Sequence, residues 1–337
     1  MSDCAVQQES LRSFSGYVEN ERTRRRSKRT KIFFDAVFDR DVEEVRAWRD
    51  GEFEPFDTAK TGPGIGLAVR FRVKQGDVIQ LKVAISYCGR EQARQNRRTE
   101  LPHWDFDAVR QEAQETWNQW LSRIEVEGGT PAQTTKFYTD LFHALKGRRI
   151  VSDAAGSYLD NTGDLPVVRQ IPLDEEGQPR YNHHNSDAFW GAPWSLNLLG
   201  SLAWPKVTSS FCNTLVDMYV NGGLIPRGPS GGDYTFVMTS PTSTTFLVSA
   251  WMMGIRTFDI ERAYAGMLKN HGPDGLMAKA GYEHHTNKGG GADYYLDRGY
   301  VPMGIQADAF HVHAAATMTL EYAYHDWALS ELAGHLG

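Results

Sequence analysis

The spacing of apolar residues changes once along this chain, and that change limits what it can fold into. Across residues 31–86 the period is two. In LAVRFRV, Val69, Phe71 and Val73 alternate with Arg70, Arg72 and Lys74; in VIQLKVAI, Ile79, Leu81, Val83 and Ile85 share one face and Gln80 and Lys82 the other. Gln75-Gly76-Asp77 between the runs is a turn signal. The pattern predicts antiparallel strands with one buried face, and KIFFDAVF supplies a third strand. Three strands make half a sandwich at most and leave edges unpaired.

After Trp104 the period becomes helical. Asp105 or Asp107 can cap a helix that carries Val109, Ala113, Trp117 and Trp120 on one side. Thr130-Pro131 places a capping hydroxyl before a proline at the first helical position. The helix it opens aligns Phe137, Leu141 and Leu145, and Gly147 follows as a stop signal. Further helices are predicted at 195–203, 207–220, 244–254, 259–270 and 314–336. Strands first and helices afterwards predict a multidomain β + α chain, a partial N-terminal β-sandwich followed by part of an α/α toroid. The expected division is a disordered lead-in at 1–30, a partial β-sandwich domain at 31–104, a linker helix at 105–129 and a partial barrel at 130–337.

A net charge of −6 argues against a general nucleic-acid binder. The single basic run, ERTRRRSKRTK, carries no interleaved aromatic residue and reads as a solvated lead-in. Cys4, Cys88 and Cys212 are odd in number and widely spaced, so they make neither a disulfide framework nor a metal pair. No apolar run reaches the ~20 residues of a membrane span, and no signal peptide is readable.

The chemistry-bearing residues concentrate in residues 185–234. Phe189, Trp190 and Trp194 stand beside Asp187, and the Gly/Pro-rich GGLIPRGPSGG carries Arg227. Flat rings cover the C–H faces of a pyranose and carboxylates accept hydrogen bonds from its hydroxyls. A Trp pair before an amphipathic run also serves as ordinary core, and Asp187 can equally cap a turn. Arg227 suits a carboxylate, a phosphate or a sugar hydroxyl, although GPSGG lacks the G-K-S/T ending of a phosphate-binding loop. Glu283, with His284 and His285 in GYEHHTNKGGG, can do acid/base work or sit on a polar surface loop. The pairs His183-His184 and His311/His313 match no spaced metal motif.

Several blocks resemble glycoside hydrolase family 92: WDFDAVRQEAQETWNQWLSRIEVEGG, FYTDLFHALKGRR, YVNGGLIPRG, RTFDIERAYAGMLKN, YLDRGYVP and LEYAYHDWALSELAGHLG. They follow the family's order over roughly residues 31–337. The resemblance implies an exo-acting α-mannosidase, with a β-sandwich and an (α/α)6 barrel, that depends on calcium and inverts the anomeric centre. It also implies a secreted or periplasmic location and a mannose-containing glycan as partner, with no nucleic acid and no membrane span. The family's acid (E-G-N-x-W-like) and base (G-N-x-D-x-G-like) motifs do not occur in this sequence. The chain is therefore expected to be a central fragment, with the acid and base outside it and the calcium ligands unassigned. In the family's S-x-W-D-x-F/Y-R motif, Asp187 keeps the Asp and Trp190 stands where the Arg would be. Asp187, Trp190, Trp194, Arg227 and Glu283 are the residues expected to position sugar. A non-catalytic carbohydrate-binding chain or another α/α-toroid enzyme is the alternative.

Overall fold

Eight strands come first: β1 (Asp3–Gln8), β2 (Ser13–Asn20), β3 (Thr30–Phe38), β4 (Glu44–Arg49), β5 (Glu52–Glu54), β6 (Ala59–Pro63), β7 (Gly66–Arg70) and β8 (Leu81–Ser86). They form an antiparallel five-stranded sheet in the order β6-β1-β2-β3-β8 and a three-stranded sheet in the order β5-β4-β7. Cys4, Val6 and Ile65, with Phe34, Phe56 and Leu67 packed on them, make one apolar cluster shared by the two sheets. The computed structural model describes residues 3–23, 28–186, 189–236, 240–279, 289–305 and 315–337.

Two expectations are corrected here. The described part of residues 1–30 is not a disordered lead-in, because β1 and β2 are inner strands of the larger sheet, paired over Cys4↔Val18 to Gln8↔Phe14. Gly16 permits that pairing, since a Cβ there would fall 2.0 Å from the Ala5 carbonyl oxygen. In the described part of the basic run, Lys28 Nζ donates to the carbonyls of Asn161 and Gly163 at 2.5 and 2.6 Å. Arg29 pairs with Glu19 and Glu21, each at 3.1 Å.

The second correction concerns which face of β8 is buried. Leu81, Val83 and Ile85 are about half exposed, while Lys82 and Ser86 point inward. The cause is α1 (Arg90–Glu100), which the periodicity did not announce. It lies on the polar face of the sheet. Arg97 Nε donates to Asp35 Oδ2 at 2.5 Å and Arg94 Nε to Asp35 Oδ1 at 3.3 Å. Lys82 Nζ donates to the Leu101 carbonyl at 2.8 Å. Ion pairs and hydrogen bonds thus satisfy the polar face, and the apolar face at the β8 edge stays open.

Helices follow. α2 (Phe106–Leu121) is capped by Asp105, which accepts from Ala108 N at 3.0 Å. α3 (Pro131–Leu145) has a reciprocal cap: Thr130 N donates to Gln133 Oε1 at 2.8 Å and Gln133 N to Thr130 Oγ1 at 3.4 Å. Four short strands then pair as two ladders: β9 (Arg149–Ile150) with β12 (His184–Asn185), and β10 (Ser157–Asp160) with β11 (Val167–Gln170). The remaining helices are α4 (Leu196–Ala203), α5 (Pro205–Gly222), α6 (Ser243–Met252), α7 (Ile260–Asn270), α8 (Ala292–Arg298) and α9 (Ala315–Leu336). Proline opens α5 and Gly223, at φ 84°, closes it.

The main core joins four of these helices. Phe211, Leu215 and Val216 of α5, Phe246 and Leu247 of α6, Met267 of α7 and Leu329 and Leu332 of α9 belong to one buried cluster that also takes Phe189. His271 pins α9 in place, with Nδ1 2.5 Å from Asp326 Oδ1 and Nε2 2.9 Å from Thr244 Oγ1. The β part is tied to the helical part through buried Asp153, which accepts from Ser86 Oγ at 3.0 Å and Asn96 Nδ2 at 2.7 Å. Among the described residues no helix is long and apolar enough to cross a membrane.

Candidate sugar-binding cleft

Residues at three- and four-position spacing share one face of a helix. On α9 this places Thr317, Leu320, Glu321, Tyr324 and His325 together. Opposite them stands the turn that carries Trp190, Gly191, Pro193 and Trp194, and Thr242 completes a cleft of about 430 Å³. Gly191 makes the turn possible at φ 87°. Trp190 is 54% exposed and Trp194 82%, so both rings are available to a ligand.

Among the described residues lining the cleft, Glu321 is the only carboxylate. His325, above all, holds its carboxyl below the ordinary glutamate range. Burial works against this, and the Ser240 hydroxyl, donating to Oε2 at 3.3 Å, helps. His325 is pushed the other way: burial, aided by the charges of His271 and Arg227, lowers its pKa and keeps it neutral at pH 7. Its Nε2 faces Glu321 Oε2 at 3.7 Å, a long contact through which the imidazole still favours the carboxylate. Neither ring nitrogen has a hydrogen-bond partner among the described residues. The cleft therefore offers an acceptor carboxylate and three aromatic rings, with the buried imidazole of His325 beside the carboxylate.

Of the residues expected to hold sugar, Trp190 and Trp194 come together in this cleft. Arg227 lies behind it and lines none of it. It is fully buried; its Nε donates to the Ser240 carbonyl and its Nη2 to the Leu276 carbonyl at 3.1 Å. Burial lowers its pKa to about 10. Its own carbonyl accepts from Phe189 N at 3.2 Å. Arg227 thus fixes the turn that bears the tryptophans and the residue that holds Glu321. Asp187 and Glu283 lie outside the described residues, as do His284, His285, His311 and His313. Glu321, Tyr324 and His325 were not singled out from the sequence, although they sit at i, i+3 and i+4 in LEYAYHDW, where helical spacing alone could have grouped them.

Pro193 and Tyr324 also line an adjoining hollow of about 390 Å³, to which Trp327 contributes. Its ring stacks on Tyr324 with centroids 6.0 Å apart. For calcium, six to eight oxygen ligands are needed. Among the described residues no three His, Cys, Asp or Glu side chains gather in a way that could hold a metal.

A second polar cluster lies on α5. Tyr181 donates to Asp217 Oδ2 at 2.9 Å, and Tyr158 stacks on buried His183 at 4.1 Å. Burial raises the Asp217 pKa to about 6, against the hydrogen bond from Tyr181. The folded state then binds more protons than the unfolded one between pH ~4 and ~6, so this group makes stability fall as pH rises through that window. Asp217→Asn is expected to match the parent near pH 4 and to exceed it by about 2–3 kcal/mol at pH 7, a shift of about two pKa units at ~1.4 kcal/mol each with the Tyr181 bond already included. Urea unfolding at the two pH values measures it, and an equal difference at both would remove the carboxylate's burial as the cause.

Comparison with known proteins gives a consistent result. The Glycosyl hydrolase family 92 N-terminal domain model matches residues 1–86 and the Glycosyl hydrolase family 92 catalytic domain model residues 92–337. The models thus part ahead of the 104/105 boundary read from the sequence. An inverting mannosidase of family 92 from Bacteroides thetaiotaomicron superposes with a TM-score of 0.83 at 24% identity, over 99% of this chain and 43% of that one. An α-mannosidase of the same family and organism, in complex with mannoimidazole, superposes with a TM-score of 0.82 at 20% identity, over 100% of this chain and 41% of that one. The chain spans less than half the length of these structures, and at such identities the likeness is one of fold. A search of the curated proteins finds no match.

Proposed function

The chain belongs to glycosyl hydrolase family 92, and from that premise we propose that it supplies the sugar-holding walls of an exo-acting α-mannosidase that inverts the anomeric centre. The observation that carries this is the cleft in which Trp190, Trp194 and Tyr324 surround an ionised Glu321, with His325 beside it. The rings cover the apolar faces of a terminal mannose and Glu321 accepts from its hydroxyls. The adjoining hollow with Trp327 takes the next sugar or the aglycone. Asp187, Arg227 and Glu283 keep a positioning role in this proposal, Arg227 from behind the wall. The setting is secreted or periplasmic, where mannose-containing glycans are met.

Inverting hydrolysis needs two carboxyl groups ~6.5–9.5 Å apart, one protonated and one ionised. Glu321 is a single carboxylate held ionised, so it suits binding and not proton donation. The acid and base therefore come from groups other than those described in this cleft. Calorimetry with methyl α-mannoside, beside turnover of an aryl α-mannoside, tests the proposal. Binding without turnover supports walls that lack the proton-handling pair. Absence of binding sinks the cleft reading, and rapid turnover by these 337 residues sinks the assignment of acid and base elsewhere.

Trp194 offers a mild check. Because it is mostly exposed, Trp194→Ala is expected to leave stability within about 0.5 kcal/mol. Loss of ring stacking should weaken mannoside binding by about 3–10-fold. Quenching of tryptophan fluorescence on titration reads both the parent affinity and its loss.

A further inference from the structure

A second cavity, of about 180 Å³, lies where α2, the end of α3, α4 and the start of α5 meet, and it shares no lining residue with the cleft. Its charge is one-sided. Arg148 and Lys206 both line it, and among the described residues neither has a carboxylate within ion-pair reach. Arg148 donates to Asn197 Oδ1 at 3.1 Å. Its guanidinium also lies 4.9 Å from the Phe246 ring centroid and 5.7 Å from that of Phe211. Those rings fix its plane but accept no strong hydrogen bond, and a buried cation without a counter-charge is costly.

The neutral groups of the cavity point the same way. Thr208 is fully buried and Trp204 nearly so, and Thr208 Oγ1 and Trp204 Nε1 have no hydrogen-bond partner among the described residues. Gly200 shows where Arg148 and Thr208 converge: a Cβ there would sit 3.2 Å from both Arg148 Nη1 and Thr208 Oγ1. The cavity also receives the N-terminus of α5, an 18-residue helix with no side-chain cap and no acidic residue in its first turn. The positive end of its dipole is therefore uncompensated. Buried donors and positive charge that meet at a glycine-floored recess, with no acid in the wall, make a receptor for an anion. The volume equals roughly six waters at ~30 Å³ each, enough for a tetrahedral oxyanion with one or two waters.

We propose that this cavity binds a tetrahedral oxyanion, a phosphate either free or carried on a sugar, through Arg148, Lys206, Thr208 and the N-terminus of α5. The site is separate from the mannoside cleft, so either can fail without the other. Calorimetry with sodium phosphate, and separately with mannose 6-phosphate, against sodium chloride at matched ionic strength tests it. Saturable phosphate binding is expected, weakened at least tenfold in Arg148→Met. Gly200→Ala, which fills the recess and leaves Arg148 in place, should show the same loss, and Lys206→Gln at the mouth a smaller one of about threefold. Circular dichroism and the methyl α-mannoside titration report whether each variant is folded. Tighter binding of mannose 6-phosphate assigns the sugar-borne group, and tighter binding of phosphate the free ion. The proposal is overturned if neither binds more than chloride does, or if both folded variants, Arg148→Met and Gly200→Ala, bind phosphate as the parent does.

Discussion

Glu321→Ala is expected to weaken binding of methyl α-mannoside by about 10–100-fold, the range that corresponds to losing hydrogen bonds to a charged acceptor worth ~1.5–3 kcal/mol. Two features support so large an effect. Among the described lining residues no second carboxylate is present to take over hydroxyl recognition. The group is also pre-oriented by the Ser240 hydroxyl, which Arg227 fixes through the Ser240 carbonyl. Glu321→Gln keeps one carbonyl acceptor and should fall between parent and alanine. The pH dependence follows from the direction of the shift. Because the folded carboxyl titrates below the usual glutamate range, affinity should stay level from pH 8 down past pH 5 and decline only in more acidic solution. Titration calorimetry of the three proteins at several pH values checks all of this. An alanine variant that binds as the parent does would move the sugar site away from α9.

Local signals announced the helices well and the tertiary arrangement poorly, for reasons that particular residues show. Asp105, Thr130 and Asp259 cap helices because a side-chain oxygen reaches the free N–H three residues on, a contact that needs nothing from the rest of the chain. Trp190 and Trp194 could be suspected of touching ligand because two large rings stand in a glycine- and proline-rich turn. Glu321 and His325 could not, since LEYAYHDW reads as an ordinary amphipathic helix until the Ser240 loop and the tryptophan turn close over it. Arg227 looked like a ligand group for the same reason: its sequence neighbours are flexible-loop residues, and only the folded chain shows carbonyls surrounding the guanidinium. The inversion at β8 carries a more general lesson. Alternation tells which side chains share a face, but which face is covered depends on what packs there. Here a helix rich in arginine covers the polar face. Strands β1 and β2 were missed because DCAVQQ and SFSGYVEN lack a clean apolar/polar alternation, although Cys4, Val6 and Phe14 are buried, and their order comes from pairing on both sides within the sheet.

That polar interface gives the largest stability effect expected in the molecule. Asp35 is 1% exposed at the centre of β3, opposite Ser15 of β2 and Ala84 of β8. Its two oxygens receive Arg94 and Arg97 from successive turns of α1, so one carboxylate holds the helix to three strands. Asp35→Ala removes the acceptor and leaves both guanidinium groups facing a buried, polar but acid-poor surface. Arg94 retains Glu91 at 3.1 Å, an exposed partner of little worth, and Glu9 at 3.7 Å, while Arg97 lies next to Lys82, whose pKa burial and the Arg97 charge already depress. Breaking a buried ion pair from one side costs about 3–5 kcal/mol, a large share of a typical domain's stability. A triple variant that replaces Asp35, Arg94 and Arg97 with apolar residues of similar volume should recover most of that loss, because the penalty lies in the stranded charges and not in the missing attraction. Urea unfolding followed by far-ultraviolet circular dichroism measures both variants. If Asp35→Ala unfolds at the parental urea concentration, α1 is not anchored through this carboxylate, and the exposed apolar edge of β8 needs another explanation.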